Sequence, residues 1–217
     1  MFFGPTLALL SRRGCDLFLL CLSSGGGREL GRRRKEELLA AWDALGLEPA
    51  NVLVLQHDRL PDSAAANWDV SLLRTLVGTR VAQLAVDAVV SFDDVGVSGH
   101  ANHRAIAAAL RSLAHAHASR HSSSDLAVYA LDSVGLLLKY SGPLALLGLD
   151  ERARGSSCCC LLLAVESAQG AQRIRAAMRL HRSQMVWFRK LYLIFSSYVL
   201  VNRLRLVSAA AHPSLHH

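Results

Sequence analysis

Short runs of consecutive apolar residues alternate along this chain with longer segments in which apolar residues recur every three or four positions. The first pattern predicts buried β-strands, and the second predicts amphipathic helices. The predicted strands are residues 15–24, 51–56, 88–92, 126–131 and 158–165, and the clearest predicted helices are residues 32–47, 68–85 and 103–117. Continuously apolar strands that alternate with helices favour a mostly parallel sheet with helices on both faces. The pattern therefore predicts a doubly wound α/β fold.

The length of the chain predicts its domain organisation. Its 217 residues are enough for one domain with a sizeable core, and a hydrophobic content of 52% excludes a disordered chain. We expect a single domain over residues 1–207 and a disordered tail over residues 208–217. Two stretches interrupt the alternation: a polar connection at residues 116–124 and a longer excursion without a clear period at residues 139–157.

The charge of the chain limits its partners. A formal net charge of +7 favours an anionic partner, which includes nucleic acid, a membrane surface or a phosphate-bearing substrate. The five cysteines show the spacing of neither a zinc knuckle nor a disulfide framework, and the run Cys158–Cys160 is predicted to be buried in a strand, as in a reducing compartment. No cleavable signal is expected, and no apolar stretch reaches the ~20 residues needed to cross a bilayer.

The loops after the strands are the candidate sites, because ligands of such sheets lie beyond the carboxyl ends of the strands. The first loop, SSGGGRELGRRRK, is rich in glycine but has no phosphate-binding fingerprint, so a nucleotide site is not expected. The basic run Arg32–Lys35 is followed at once by Glu36 and Glu37. Its simplest interpretation is a solvated helix start with internal charge pairs, and the alternative is that one member reaches into a site.

The loop after the third strand reads FDDVGVSGHANH and contains His100 and His103. Residues at i and i+3 of a helix share a face, so both imidazoles are expected to point the same way, towards the strand ends. Imidazole suits zinc, and a second histidine can donate to a developing oxyanion. A catalytic zinc needs about three protein ligands, however, and an isolated pair is more often structural or incidental. The spacing alone leaves these alternatives open.

Five stretches together resemble one known family. They are MFFGPTLALL, LCLSSGG…GRRRKEELLAAWDALGL, LPDSAAANWD, VVSFDDVGVSGHANH and HRSQMVWFRKLYLIFSSYVLVNRL. In this order they resemble the N-acetylglucosaminylphosphatidylinositol de-N-acetylase family. These are endoplasmic-reticulum enzymes of glycosylphosphatidylinositol (GPI) anchor synthesis, within the larger superfamily of zinc-dependent sugar deacetylases. The resemblance covers nearly the whole chain and implies a Rossmann-like fold and release of acetate from a sugar amide.

The resemblance also implies roles for individual residues. His103 would be a Zn²⁺ ligand, and His100 would stabilise the tetrahedral oxyanion of amide hydrolysis. Arg34 matches the arginine of the family's Arg-x-x-Glu motif, which borders the substrate site, and Asp58 lies where the family has an acidic residue near the sugar. His181 and Gln184 match a late His-x-x-Gln motif. For that pair, substrate contact and a structural role in holding the C-terminal helices are equally good interpretations.

The resemblance implies one departure from the family pattern. In the family, a first strand and a His-Pro-Asp-Asp-Glu motif precede the helix that starts like MFF, and they supply further zinc ligands and the general base. Because nothing precedes Met1 here, we expect a sheet that lacks its first, central strand, and a zinc ion with His103 as its one strong ligand. Hydrolysis by the chain as written is then expected to be negligible. The simplest interpretation is an incomplete record of a longer deacetylase.

The implied partners are a glycosylated phosphatidylinositol substrate and a membrane surface, at the cytoplasmic face of the endoplasmic reticulum. No nucleic-acid partner is expected, and the sequence indicates no oligomeric state. Two alternatives stay open. One is a deacetylase of a soluble glucosaminyl substrate, and the other is a non-catalytic remnant that binds a membrane or a partner through basic and apolar surfaces.

Overall fold

The computed structural model describes residues 2–63, 67–118, 126–142 and 161–208. Its helices are α1 Gly4–Arg12, α2 Arg28–Ala44, α3 Val70–Leu84, α4 Gly96–Gly99, α5 Ala101–Ala118, α6 Leu136–Lys139, α7 Ala168–Arg179 and α8 Trp187–Phe195. Its strands are β1 Leu19–Cys21, β2 Val52–Val54, β3 Ala88–Phe92, β4 Ala127–Leu131, β5 Leu161–Val165 and β6 Val201–Ser208. Helices and strands alternate over most of the chain, which confirms the predicted α/β class.

The described strands form two sheets. Strands β1 and β2 pair in parallel, with Leu19 opposite Val52. The second sheet has the order β3-β4-β6-β5, in which β4 is parallel to β3 and antiparallel to β6. The sequence pattern predicted a single, mostly parallel sheet, whereas the described strands form two sheets, one of which is mixed. The difference arises because apolar runs locate strands but do not determine which strands pair. The predicted absence of a central strand is tested by neither sheet and stays a prediction.

Strand β6 was missed in the sequence analysis. It pairs antiparallel with β4, and along it the side chain of Leu204 is buried while that of Arg205 is exposed. An antiparallel strand with one wet face alternates in polarity and has no continuous apolar run. The segment VNRLRLVS therefore lacks the continuous apolar run from which the other strands were predicted.

The contacts within the chain divide it into two compact units. The described part of the first unit is residues 2–62, 134–142 and 163–203. Its core includes Ala171, Ile174 and Val199. The buried Asn202 joins β6 to the N-terminal helix, because its Oδ1 accepts hydrogen bonds from the backbone N–H (3.1 Å) and the hydroxyl (2.8 Å) of Thr6. The amino group of Asn202 also donates to the carbonyl of Phe2, so its side chain is well satisfied.

The described part of the second unit is residues 63, 67–118, 126–133, 161–162 and 204–208. Asp69 is the N-cap of helix α3, because its carboxylate accepts hydrogen bonds from the backbone N–H groups of Ser71 (2.8 Å) and Leu72 (3.3 Å). Helices α3 and α5 pack together, and their buried side chains include Leu73, Val77, Val81, Leu110 and Leu113. Strands β3 and β4 start and end within one residue of their predicted positions.

Several expectations fall wholly or mainly outside the described residues. These are the polar connection at 116–124, the excursion at 139–157, the cysteine run at 158–160 and the tail at 208–217. Of the other cysteines, Cys15 and Cys21 are free thiols. Within the part of the chain that the structure describes, each helix is too short or too polar to cross a membrane.

Candidate functional site

The loop after β3 is organised by the carboxylate of Asp93. Its Oδ1 accepts hydrogen bonds from the backbone N–H groups of Val95 (3.2 Å) and Gly96 (2.9 Å) and from the hydroxyl of Ser133 (2.6 Å). Its Oδ2 accepts from the backbone N–H of Ser133 at 2.7 Å. Since Ser133 follows β4, Asp93 ties together the loops at the ends of two paired strands. Four donors on one half-buried carboxylate make this turn a well-defined platform.

The next turn, α4, has a left-handed backbone. The φ angles are +65° at Gly96, +66° at Val97 and +73° at Gly99. A positive φ is costly for a β-branched residue and persists only where the surroundings enforce it. Here the buried Val97 donates its backbone N–H to the hydroxyl of Ser133 at 2.7 Å. Strain of this kind, held by the Asp93–Ser133 pair, is typical of a functional loop.

The turn brings His103, near the start of α5, into a defined position. Its ring lies parallel to the ring of Phe92, with centroids 3.7 Å apart. Its Nδ1 donates to the carbonyl of Gly96 at 3.0 Å, which leaves the lone pair on Nε2. A Cβ on Gly96 would come within 2.9 Å of the Cβ of His103, so glycine allows this close approach. Burial lowers the pKa of His103. The hydrogen bond to Gly96 opposes this effect and the neighbouring His100 adds to it, so the ring is neutral near pH 7.

His100 lies beside His103, with ring centroids 4.8 Å apart, so the structure brings the predicted pair together. A neutral imidazole whose Nδ1 donates to a backbone carbonyl is the usual state of a histidine that binds zinc. Among the described residues, however, no group of three or more His, Cys, Asp or Glu side chains could hold a metal ion. The described residues therefore do not make up a zinc site by themselves.

Arg34 lies on α2, in the first unit. Its Nη1 is 3.6 Å from Oδ2 of Asp62, and its buried Nε has no hydrogen-bond partner among the described residues. A Cβ at Gly25, whose φ is +69°, would collide with this guanidinium, so the glycine-rich loop after β1 makes room for the arginine. The predicted acidic residue, Asp58, is exposed in the loop after β2. The carboxylate that contacts Arg34 is thus that of Asp62, and the predicted role of Asp58 stays a prediction.

Glu37, one turn after Arg34, connects α2 to the His-x-x-Gln segment. Its Oε1 accepts from the backbone N–H of Ser183 at 2.8 Å, and its Oε2 accepts from the hydroxyl of Ser183 at 2.6 Å. Desolvation raises the pKa of Glu37, but these hydrogen bonds and the nearby charges of Arg33 and His181 outweigh it, so the pKa lies below its ordinary value. The family's Arg-x-x-Glu glutamate is here a fixed, ionised acceptor.

The late histidine and glutamine have different surroundings. Gln184 accepts hydrogen bonds from Arg189 of α8, through its backbone carbonyl at 2.8 Å and its side-chain oxygen at 3.4 Å. The choice between a structural role and substrate contact stays a prediction. His181 has a buried Nδ1 without a hydrogen-bond partner among the described residues, and burial lowers its pKa. Burial and the neighbouring charge of Arg34 lower the pKa of Arg189, so two arginines lie near one another here.

The sequence analysis missed Asp93, Ser133, Asp62 and Arg189 as members of these clusters. An aspartate directly after a strand and before a glycine is a turn signal that could have identified Asp93. Its partner Ser133 could not have been found in this way, because 40 residues separate the two and only the pairing of β3 with β4 brings them together.

Comparisons with known proteins agree with the family that the sequence resembles. Residues 1–114 match the model of the PIG-L family, described as GlcNAc-PI de-N-acetylase. The chain is 40% identical over 209 residues to the N-acetylglucosaminyl-phosphatidylinositol de-N-acetylase of Bos taurus, covering 94% of this chain and 77% of the bovine one. It is 30% identical over 231 residues to the probable enzyme of that name from Dictyostelium discoideum, covering 94% and 87%.

Solved structures of deacetylases share the fold. A deacetylase of the teicoplanin biosynthetic pathway superposes with a TM-score of 0.62 at 14% identity, covering 98% of this chain and 93% of that one. The N,N′-diacetylchitobiose deacetylase of Pyrococcus horikoshii also gives a TM-score of 0.62 at 14% identity, covering 94% and 78%. The family match over more than half of the chain and the 40% identity to the bovine relative show that the chain belongs to the PIG-L family of GlcNAc-PI de-N-acetylases.

Proposed function

We propose that this chain acts in the de-N-acetylation of N-acetylglucosaminylphosphatidylinositol, in which an amide is hydrolysed to acetate and a free amine in GPI-anchor synthesis. Family membership and relatives of that name support the proposal. The observation that carries it is the pair His100 and His103, which directly follows the strained turn α4, with Nδ1 of His103 held by the carbonyl of Gly96. This turn lies within the segment that the family model matches.

The roles proposed for the histidines follow from their surroundings. The lone pair on Nε2 suits His103 as a single ligand of the zinc ion that the family implies, with the other ligands coming from outside the described residues. Bound zinc would polarise the amide and lower the pKa of a water molecule. His100, whose ring centroid lies 4.8 Å from that of His103, would stabilise the tetrahedral oxyanion by donating a hydrogen bond to the oxygen that becomes negative during attack.

Arg34 and Asp58 are proposed to bind the substrate. A guanidinium suits a phosphate or a sugar hydroxyl because it presents several donors in a fixed plane. Nε of Arg34, which has no hydrogen-bond partner within the described part of the chain, is a donor for this purpose. The net charge of +7 favours the anionic, phosphate-bearing substrate and a site of action at the cytoplasmic face of the endoplasmic-reticulum membrane.

The test is a chimaera in which the aligned part of this chain replaces the matching part of the bovine relative. Acetate release from N-acetylglucosaminylphosphatidylinositol is measured, together with zinc content by mass spectrometry of the native protein. We expect turnover that falls by about a thousandfold or more in His103→Ala and by about a hundredfold in His100→Ala. His115→Ala, which alters an exposed histidine on the same helix, is the matched control and should retain activity.

Two results would contradict the proposal. Turnover that is indifferent to His103→Ala would remove the histidine from the reaction. A chimaera that hydrolyses a soluble glucosaminyl amide but not the lipid substrate would favour the alternative deacetylase instead. Residues 1–217 alone are assayed in parallel, and we expect them to release little acetate, because the described residues supply too few ligands for zinc.

A further inference from the structure

Helix α8, Trp187–Phe195, exposes its apolar side. The exposed fractions of the side chains are 73% for Trp187, 53% for Phe188 and 60% for Ile194, and Leu191 and Phe195 are also exposed. These residues recur at the three- and four-residue spacing of one helical face. A surface helix of a water-soluble protein normally turns such a face towards the core. This face, which we call the aromatic face, therefore needs a covering that the described residues do not provide.

The opposite side of α8 is firmly attached to the first unit. Tyr192 and Leu193 are buried, and the ring of Tyr192 makes edge-to-face contacts with Phe2 at 5.8 Å and Tyr140 at 6.4 Å. Nε of Arg175 donates to the carbonyl of Leu193 at 2.8 Å. Because these contacts hold the helix, it cannot roll its aromatic face inwards without breaking them. The aromatic face is thus exposed in the folded state of the first unit.

A neighbouring element adds to the apolar surface. Tyr140, which contacts Tyr192, directly follows α6, and the hydroxyl of Ser197 donates to the carbonyl of Lys139 at 3.3 Å. In α6, Leu136 is 72% and Leu137 is 91% exposed. Two elements of the same unit therefore present large apolar side chains to solvent.

The charge around α8 indicates what covers it. Residues 167–217 contain eight arginines or lysines and no aspartate or glutamate. Arg179, Arg182 and Lys190, close to α8 in the sequence, are exposed. Aromatic and aliphatic residues on one side with basic residues beside them are characteristic of helices that lie in a membrane interface. A helix of nine residues is only about 13 Å long, so it can lie along a bilayer but not cross it.

We propose that α8 is an interfacial helix whose aromatic face inserts among the headgroups of an anionic lipid bilayer, with Arg182 and Lys190 bound to lipid phosphates. The proposal rests on the proposed function to the extent that a phosphatidylinositol-linked substrate lies in such a bilayer. It assigns membrane attachment to particular residues outside the histidine site. Docking on the surface would bring the described part of the first unit to the lipid.

The test measures partition of the full chain onto sucrose-loaded vesicles of phosphatidylcholine, with and without added phosphatidylinositol. Trp187 is exposed whereas Trp42 and Trp68 are buried, so vesicle insertion should shift tryptophan emission to the blue and make it sensitive to brominated lipid. We expect binding to both vesicles and tighter binding when phosphatidylinositol is present. Raising the salt concentration should remove that preference.

Variants separate the apolar and basic contributions. Phe188→Ser with Ile194→Ser, which keeps Trp187 as a probe, should weaken binding to all vesicles by about tenfold or more. Arg182→Glu with Lys190→Glu should abolish the preference for phosphatidylinositol. The matched control, Val70→Ser with Leu84→Ser, alters two exposed apolar residues of α3 and should leave binding unchanged.

Several results would overturn the proposal. One is that the wild-type chain does not bind vesicles, and another is that the α3 control loses as much vesicle binding as the α8 variant. A third is a blue shift of Trp187 emission that depends on protein concentration in the absence of lipid, which would mean that a second copy covers the aromatic face. Brominated-lipid quenching of the wild-type chain decides the case even where a variant fails to fold. Acetate release by the chimaera from a short-chain, water-soluble substrate is measured separately. Turnover without vesicle binding refutes the interfacial helix, and vesicle binding without turnover refutes the proposed enzyme.

Discussion

The turn after β3 and helix α8 differ in how far the described residues satisfy the interactions of their side chains. In the turn, the carboxylate of Asp93 accepts four hydrogen bonds, and the imidazole of His103 is stacked and bonded. In α8, the largest apolar side chain, Trp187, is 73% exposed. The polar groups of the turn find their partners within the second unit, whereas α8 leaves its main apolar surface uncovered by the described residues. The difference indicates a rigid chemical platform in one region and a docking surface in the other.

The largest expected effect is on Asp93. Asp93→Ala removes the acceptor of four hydrogen bonds and leaves backbone N–H groups of the turn without partners, so we expect a loss of about 3 kcal/mol in the free energy of unfolding. Urea denaturation measures it. Asp94→Ala is the matched control. That neighbouring carboxylate forms an exposed ion pair with Arg111, which is worth under about 1 kcal/mol. Equal losses in the two variants would show that Asp93 does not organise the turn.

Gly96→Ala should have the next largest effect, about 2 kcal/mol, because it combines an unfavourable positive φ with a contact of 2.9 Å to the Cβ of His103. Gly14→Ala provides the comparison, since Gly14 has a φ of +74° but no atom of the described residues lies within 4 Å of the added Cβ. That variant isolates the cost of the backbone conformation, about 1 kcal/mol. If the two losses are the same, the close approach to His103 contributes nothing. A shifted histidine resonance in the NMR spectrum of Gly96→Ala would report displacement of the ring.

A smaller effect should appear on acidification. Burial lowers the pKa values of His103 and His181, whereas an unfolded histidine titrates near its ordinary value of ~6.5. Below that pH the two histidines bind protons in the unfolded chain, whereas in the folded chain they stay largely unprotonated. The free energy of unfolding should thus be at its full value above about pH 6.5 and decline as the pH falls further. Urea midpoints at a series of pH values measure the decline, and His181→Gln should make it shallower. A stability that rises on acidification would contradict this assignment.

The smallest expected effect on stability is in the aromatic face. Ile194→Ala should change the free energy of unfolding by less than about 0.5 kcal/mol, because the side chain is already exposed. Its neighbour Leu193, which is buried, gives the contrast, since truncation there should cost about 3 kcal/mol. A large loss from Ile194→Ala would mean that the aromatic face is covered within the protein. Thermal unfolding of the two variants side by side distinguishes these outcomes.

Local patterns predicted most of the elements. The run AVVSF corresponds to β3 without a change of boundary, and the helical spacing after His103 corresponds to α5. Strand β6 was missed because one of its faces is exposed to solvent. The division of the described strands into two sheets was not predicted, because pairing depends on contacts between distant segments.

The candidate site shows the same division. The spacing of His100 and His103 predicted that the two rings would point the same way, and the structure places them side by side, although His100 directly precedes α5 and does not lie within it. The choice of Asp62 rather than Asp58 as the partner of Arg34, and the bond between Glu37 and Ser183, could not be predicted. In the second of these contacts, 146 residues separate the two partners.

The sequence by itself determined the α/β class, the placement of the paired imidazoles on one turn, and the family to which the chain belongs, because periodicity, turn chemistry and motif spacing act over a few residues at a time. The tertiary structure alone decided which carboxylates hold the turn and the arginine, that Gly96 makes room for His103, and which side of α8 stays in contact with solvent. Those features depend on the packing of segments far apart in the chain. An amphipathic pattern shows that a helix has an apolar face, but only the packing around the helix shows whether the protein covers that face.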